Sequence, residues 1–454
     1  MTALVWFRRD LRLRDNPAWA AATAAHDDVV ALFVLDPRLW GTAGPHRGPQ
    51  LAAHLRALDK QLEGLGGRLA VRHGDPIDVV VAAARGMDAV YWNNDYTPYA
   101  QSRDDAVAAM LDMPAHRTHG SVVHPPGTIL TGQDRPYKVF TPFWKRWRAT
   151  DWSAEPEPGG ARIAADPADG VPETPAPLLD GGEEQAMLRL GKFLERVDRY
   201  VAERDRPDLD TTSRLSADLK YGTISPRRVI LETGEDTDGR AALVRQICWR
   251  DFYAQVLYHF PHTATRALRS EYDAIEWRAD EEAFAAWCSG HTGFPIVDAG
   301  MRQLLAEGWM HNRVRMITAS FLVKDLLIDW RKGERHFRRY LVDGDVSQNV
   351  GNWQWVAGTG ADAAPYFRIF NPITQSTKFD PNGDYIRRFV PELAHVTSPA
   401  IHTPWKCEPG ELDRANVILG ETYPLPIVDH AEAREETLAA YRKARSGLSQ
   451  PRDS

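Results

Sequence analysis

The chain has 454 residues, too many for one ordinary domain and enough for two or three. With 43 % hydrophobic and 26 % charged residues it is soluble and globular in composition, and no apolar run approaches the ~20 residues that cross a bilayer. A net charge of −7 excludes a protein that coats nucleic acid indiscriminately, but leaves room for a local basic face.

Met1 leads into LVWF without a basic region and cleavage site, so an intracellular, cytoplasmic protein is expected. Cys248, Cys288 and Cys407 are far apart and form no CxxC pair, which argues against a disulfide framework and against a metal site. Tryptophan is abundant: 15 in all, eight of them between Trp249 and Trp405.

From Met1 to about Val123, short apolar runs at 4–7, 29–35, 69–71 and 89–92 alternate with amphipathic segments around 14–25, 50–63, 76–85 and 99–111. Strand–helix alternation with short connections predicts a doubly wound, parallel α/β domain. The first strand runs into FRRDLRLRDNP, with no GxGxxG and no P-loop, and the cluster Gly64-Leu65-Gly66-Gly67 reads as a helix C-cap. This domain is therefore not expected to grip a pyrophosphate. A ligand at the carboxyl ends of its strands would meet Arg9, Asp36 and Asp95.

Residues 124–150 carry turn signals and aromatics, and 151–182 is a Pro-, Ala- and acid-rich stretch expected to hug the surface as a linker. Helical periods dominate afterwards. The expected division is an α/β domain over 1–125, a crossover and linker over 126–182, and an all-α domain over 183–454, ending in an amphipathic helix and a short polar tail.

Within the helical part, Thr212, Ser213 and Ser216 offer hydroxyls and N–H groups where a loop enters a helix, as an anion cradle or an ordinary cap. Gln246, Trp249, Arg250 and Tyr253 fall at i, i+3, i+4 and i+7 on one helical face. Arginines and lysines gather at Arg204, Arg206, Arg227, Arg228, Arg313, Arg331, Lys332, Arg335, Arg338 and Arg368, either as solvated charges or as a groove for a phosphate backbone. Trp309 to Trp355 organises the rest. Val314, Ile317, Phe321 and Ile328, widened by Leu322, Leu326 and Leu327, predict one buried helix over 313–331, with polar groups at both ends and a loop holding Asp343, Gly344, Asp345 and Asn349 beyond it. Such a pattern suits a planar cofactor held by hydrogen bonds, with tryptophans stepping away from it.

TSRLS, CWRDFY, TGFPIVDAGMRQL, GWMHNRVRM, SFLVKDLLIDWR, DGD, NWQW and DAAPYFRIFNP, with VWFRRDLRLRDNP near the start, resemble the photolyase/cryptochrome family in order and spacing over nearly the whole chain. The resemblance is greatest to bacterial class I enzymes acting on cyclobutane pyrimidine dimers. It implies an N-terminal antenna domain, a C-terminal helical domain holding FAD, and light-driven repair of dimers in DNA. The resemblance assigns Tyr200 and the Thr212-Ser213-Arg214-Leu215-Ser216 loop to the FAD pyrophosphate, and Arg250, Trp309, Asn312, Arg315, Asp343, Gly344 and Asp345 to the rest of the pocket, with an Arg315–Asp343 pair. Asn349 matches the position facing flavin N5, and Trp353, Trp330 and Trp277 match the electron-transfer chain from flavin to surface.

Trp249 and Trp355 match the walls of the lesion pocket, and Asn312, Arg313 and Met316 its contacts, with Arg204, Arg250 and Arg368 as further DNA contacts. The (6-4) branch typically has histidines matching 312 and 316, which this chain lacks. Gln246 stands where the best-known bacterial dimer enzymes have Glu. The resemblance further implies an antenna chromophore, 8-hydroxy-5-deazaflavin or alternatively methenyltetrahydrofolate, with Arg9, Asp36 and Asp95 as its contacts. The expected partner is UV-damaged DNA and the expected state a monomer. A signalling cryptochrome is the rival reading, and little sequence follows the helix near 431–445 to support it.

Overall fold

Strand β1 (Thr2–Phe7) alternates Ala3, Val5 and Phe7 with Leu4 and Trp6, and all five side chains are buried. A strand buried on both faces needs a layer of helices on each side, and that is what forms. In the computed structural model, which describes residues 1–152, 156–363 and 365–446, β1 is central to a parallel sheet with β2 (Asp28–Leu35), β3 (Leu69–His73), β4 (Ala89–Asn93) and β5 (Ala115–Thr118), in the order β3-β2-β1-β4-β5. Ala18, Trp19, Ala22, Leu55, Leu58 and Leu62 cover one face; Val80, Ala83 and Val107 cover the other. The doubly wound parallel sheet is therefore as expected, although β5 gave no strand signal of its own.

Three of the four expected helices begin at an Asx or Thr cap followed by proline: Asn16 before Pro17–Ala25, Asp75 before Pro76–Ala83 and Thr97 before Pro98–Met110. Strand order reverses between β1 and β4, so the carboxyl ends of these two strands open the crevice where such sheets hold their polar residues. Arg9 leaves β1 at this point and Asp95 leaves β4.

The stretch expected as a linker is partly stitched into the sheet. Strand β6 (Arg162–Ile163) pairs in parallel with the start of β2, Asp28 opposite Arg162 and Val29 opposite Ile163. Gly67 makes this possible, since a Cβ there would lie 2.2 Å from Ile163 Cβ.

The chain forms two compact units. One holds Met1–Val201, Ser213–Pro261 and Val342–Gln348; the other holds Ala202–Thr212, His262–Leu341 and the chain from Asn349 onward. The helical stretch expected as one domain over 183–454 is thus shared between them. In the first unit the helix Asp238–His259 is fastened by the fully buried Asp251, which accepts from Val123 N (3.0 Å), His124 N (3.1 Å) and Trp147 Nε1 (2.9 Å).

The second unit is helical. The single helix expected over 313–331 is not what forms. Asn312–Ser320 is α-helical, Phe321–Asp325 is a π-helical turn, the chain then breaks with Leu327 at φ +52°, and a new helix runs from Trp330 to Tyr340. The apolar period runs unbroken through the change because the break is itself buried. Asp329 is the overlooked signal: it caps the new helix by accepting from Arg331 N at 2.9 Å. The final helix is His430–Ser446, and the polar tail expected after it lies outside the described residues.

Candidate functional site

In the first unit, the β1–β4 crevice holds a charge cluster. Asp345 is almost fully buried and pairs with the Arg9 guanidinium, and with Arg250 Nη1 at 3.6 Å. Its other oxygen accepts from Ser347 Oγ (2.6 Å) and Gln348 N (3.0 Å). Burial alone would raise this carboxyl, but Arg9, Arg250 and the two hydrogen bonds outweigh it and hold the group well below the usual carboxylate range. Arg9 also reaches Asp95 (3.4 Å) and the Lys220 carbonyl (3.2 Å). Arg250 donates to the Leu219 carbonyl at 2.9 Å, and its own carbonyl is held by Gln348 Nε2 at 2.9 Å.

Arg9, Asp95, Arg250 and Asp345 thus come together, across the two groups in which the sequence had placed them. Asp36 stands with different partners: it caps the turn Pro37–Trp40, accepts from the Tyr99 hydroxyl, and lies 3.5 Å from Arg38. Beside the crevice, Ser213, Arg214 and Leu215 lead into the helix Ser216–Tyr221, with Arg214 at φ +51°. Val342 and Asp343 form a turn shortly before Asp345, with Gly344 between, and Asp343 is buried.

On the helix Asp238–His259, Gln246, Trp249 and Arg250 are all half-buried. Trp249 lies flat against Phe140, ring centroids 3.6 Å apart and planes 6° apart, with Tyr253 at 5.5 Å. One face of the indole is therefore fixed by stacking. Phe140 escaped the sequence reading, although the aromatic run FTPFWKRW that contains it was visible.

In the second unit, Asn349 is nine-tenths buried and donates its amide to Glu334, to the side chain at 2.9 Å and the backbone carbonyl at 3.0 Å. Glu334 lies 3.3 Å from Arg338, one helical turn on. Neither glutamate nor arginine was singled out from sequence for this role.

The three tryptophans are strung along one segment. Arg278 bridges Ile328 in parallel, which lays Trp277 beside the stretch entering the Trp330–Tyr340 helix. Trp330 begins that helix, and Gly333, one turn later, receives the ring of Trp353 against the bare backbone. Trp330 and Trp353 are buried and Trp277 is half-exposed. Trp353 also meets Phe337 at 5.0 Å and Trp287 at 6.2 Å.

Trp309 lies edge-on to His311 at 6.2 Å. His311 caps the helix Asn312–Ser320 by accepting from Arg313 N, a role that needs a neutral ring, and burial lowers it to about 4. Asn312 is exposed with its amide 3.9 Å from Met316 Sδ, and Arg315 donates to the Met310 carbonyl at 2.8 Å. Arg313 is held by Asp205 (2.9 Å) and lies over Phe379. Arg204, Tyr200 and Trp355 are half-buried, and Arg368 is exposed 5.9 Å from the Phe370 ring.

Residues 3–160 match the DNA photolyase family model, and 243–443 match the FAD binding domain of DNA photolyase. A deoxyribodipyrimidine photo-lyase of Halobacterium salinarum is 43 % identical, over 97 % of this chain and 99 % of that protein. The chain belongs to the DNA photolyase family. Its fold is similar to that of a class III photolyase from Agrobacterium tumefaciens (TM-score 0.93, 40 % identity, 98 % of each chain) and a cryptochrome from Synechocystis (0.88, 29 %, 97 % and 99 %).

The family model makes 243–443 an FAD-binding domain. Two polar atoms of the expected cofactor set fit a polar ligand: Arg250 Nε in the first unit and Thr212 Oγ1 in the second are buried without a hydrogen-bond partner among the described residues. Among those residues, no helix is long and apolar enough to cross a membrane, and no cluster of His, Cys, Asp and Glu could hold a metal ion.

Proposed function

We propose that this chain is a deoxyribodipyrimidine photo-lyase, a light-driven enzyme that splits cyclobutane pyrimidine dimers in DNA. The observation that carries the reading is whole-length similarity, at 43 % identity, to a protein of that name. The cryptochrome reading is not favoured: the cryptochrome neighbour is 29 % identical, against 40 % for the photolyase.

FAD, when bound, reduced and excited by light, supplies the electron that opens the cyclobutane ring and takes it back afterwards. The chain's own work is binding, orientation and charge control. Arg250 and the Thr212–Ser216 loop would hold the cofactor's polar groups, with Tyr200, Trp309, Arg315, Asp343 and Gly344 around them. Asn349 would meet N5. Trp249, preset by Phe140, and Trp355 would stack on the extruded bases, with Gln246, Asn312, Arg313 and Met316 at their edges and Arg204 and Arg368 on phosphates.

An antenna of the deazaflavin kind, or alternatively methenyltetrahydrofolate, would meet Arg9, Asp36 and Asp95. Arg9 and Asp95 also belong to the Asp345 cluster, and Asp36 also holds Tyr99. A cytoplasmic monomer acting on UV-damaged DNA completes the reading. The test is repair of dimer-containing DNA by purified protein in light and in darkness, with the released chromophores identified by absorption. Loss of dimers in the light alone is expected; no loss under illumination of fully reduced, FAD-loaded protein refutes it.

A further inference from the structure

In the second unit Arg313, read above as a DNA contact, already holds an anion of the chain itself. Its Nε and Nη2 both donate to one oxygen of Asp205, at 3.3 and 2.9 Å, and among the described residues this is its only carboxylate. The rest of the arginine is anchored. Its backbone N–H donates to the His311 ring at 3.1 Å, and its guanidinium carbon lies 4.3 Å from the centre of the Phe379 ring. The Nε–Nη2 edge is one that grips carboxylates and phosphates side-on, so Asp205 takes up an anion-binding edge.

The two partners differ in exposure. The Arg313 side chain is 18 % exposed and that of Asp205 39 %. A carboxylate this open to water rehydrates when it lets go, and exposed pairs of this kind contribute little. Arg206, on the same loop, shows the opposite arrangement. It spans both oxygens of Asp208, at 2.8 and 2.5 Å, and that carboxylate is 4 % exposed. Breaking the Arg206–Asp208 fork would strand a buried charge, whereas exchanging Asp205 for another anion on Arg313 strands none. One pair is a strut; the other is exchangeable. The replacement must itself be an anion. A neutral base edge would trade a charge-assisted bond for a weaker one, but a phosphodiester has the same charge and the same pair of acceptor oxygens.

We propose that Asp205 is a built-in phosphate mimic: it occupies the edge of Arg313 that a DNA phosphate takes, and it leaves that edge when DNA binds. The inference rests on the reading of Arg313 as a DNA contact and moves its target from a base edge to the backbone. Because one anion replaces another, the contact adds less to DNA affinity than an arginine without a carboxylate partner would. Phosphates are alike on damaged and undamaged DNA, so the weakening is the same for both. Asp205 thus shortens the stay on undamaged and repaired strands and leaves the preference for the lesion intact.

The test is fluorescence anisotropy of the full, FAD-loaded chain in darkness, over a salt series. One labelled duplex carries a single cyclobutane dimer and the other is the same sequence undamaged. Asp205→Asn should tighten binding of both duplexes about 2- to 5-fold and steepen the slope of log affinity against log salt by up to about 0.9. Arg313→Gln should weaken both. In that background Asp205→Asn should bring no more than Asp384→Asn does, a variant that removes an exposed charge paired with Arg387 rather than Arg313. If the glutamine variant does not fold, Arg313→Met, which keeps an apolar stem over Phe379, takes its place. Unchanged or weaker binding by Asp205→Asn overturns the proposal, since the carboxylate would then orient the arginine for DNA. A gain no larger than that of Asp384→Asn also overturns it, as does a gain confined to the dimer-containing duplex, which would return Arg313 to a base edge. Wild-type binding of both duplexes by Arg313→Gln overturns the reading of Arg313 as a DNA contact as well.

Discussion

Asn349 is oriented by Glu334: the carboxamide nitrogen donates to both the side chain and the backbone carbonyl of that residue, at 2.9 and 3.0 Å. The amide cannot flip without losing both bonds, so the carboxamide oxygen is the group turned away from Glu334. In its proposed place opposite flavin N5, that oxygen would favour cofactor states with a proton on N5. Glu334→Gln can donate as well as accept and releases the constraint. Losing one hydrogen bond is worth about 0.5–1.5 kcal/mol, so the one-electron potentials of bound FAD should move by roughly 20–60 mV. A redox titration of wild type, Glu334→Gln and Glu334→Ala decides; unmoved potentials in both variants would show that Glu334 is merely structural.

Trp353→Phe keeps a ring in place but removes an easily oxidised indole. Photoreduction of FAD with an external reductant should slow severely, whereas repair by chemically pre-reduced protein should persist. Gly333→Ala is a gentler form of the experiment. Its new Cβ would lie 2.2 Å from Trp353 Cη2, so the indole must shift, and photoreduction should fall between wild type and Trp353→Phe. Normal photoreduction in Trp353→Phe would remove this residue from the chain.

Phe140 covers one face of Trp249, and the opposite face is the one proposed to stack on a base. Stacking on a base contributes roughly 1–3 kcal/mol, so Trp249→Ala should weaken binding of dimer-containing DNA about 5- to 150-fold. Undamaged DNA, held through phosphates, should be affected far less. Fluorescence anisotropy with both DNAs separates the cases, and equal losses would mean that the indole only supports the fold.

Asp345→Asn leaves Arg9 and Arg250 facing a neutral amide, and breaking such a buried pair costs about 3–5 kcal/mol. The pH dependence has a definite sign. The native carboxyl lies below its unfolded value near 3.9, so its stabilisation is complete above that value and is lost as pH falls towards the native one. Denaturant midpoints measured from neutral to acidic pH should drop more steeply for wild type than for Asp345→Asn. Parallel curves would contradict the assignment.

Gln246 lies one turn before Trp249, within reach of a base edge stacked on that indole. An amide donates a hydrogen bond at any pH but cannot release its proton. Gln246→Glu should raise repair per absorbed photon, and desolvation beside Trp249 should raise the new carboxyl's pKa, so the gain fades as pH climbs and the group ionises. The comparison uses fully reduced FAD and saturating lesion across a pH series. An equal or lower yield at the acidic end would show that proton donation here does not limit repair.

Local order was readable wherever it is set by neighbours in sequence. The four longest strands, their covering helices and the Gly64–Gly67 cap follow from apolar periods and cap residues within a few positions. Pairings across long loops were not readable. Arg9 and Asp345 are 336 residues apart, and a buried arginine accepts any carboxylate the fold delivers. The same holds for Phe140 under Trp249 and Glu334 beside Asn349, where the partner's type is plausible but its position depends on packing. The break before Trp330 was hidden because a buried turn keeps the hydrophobic pattern of a buried helix.

Val342–Gln348 belongs to the unit built around the N-terminal sheet, with Val342 in its core and Asp345 against Arg9. On a ribosome, that unit cannot close when Pro261 emerges. It must wait for the roughly 80 residues of the intervening helices, about 4–16 s at ordinary rates of synthesis. During that interval Arg9 and Arg250 have no Asp345 to neutralise them, so a nascent chain truncated before Val342 should expose a basic crevice to solvent, to chaperones and to polyanions. Order of synthesis thus leaves this acidic protein with a transiently cationic patch, closed only when three-quarters of the chain exists.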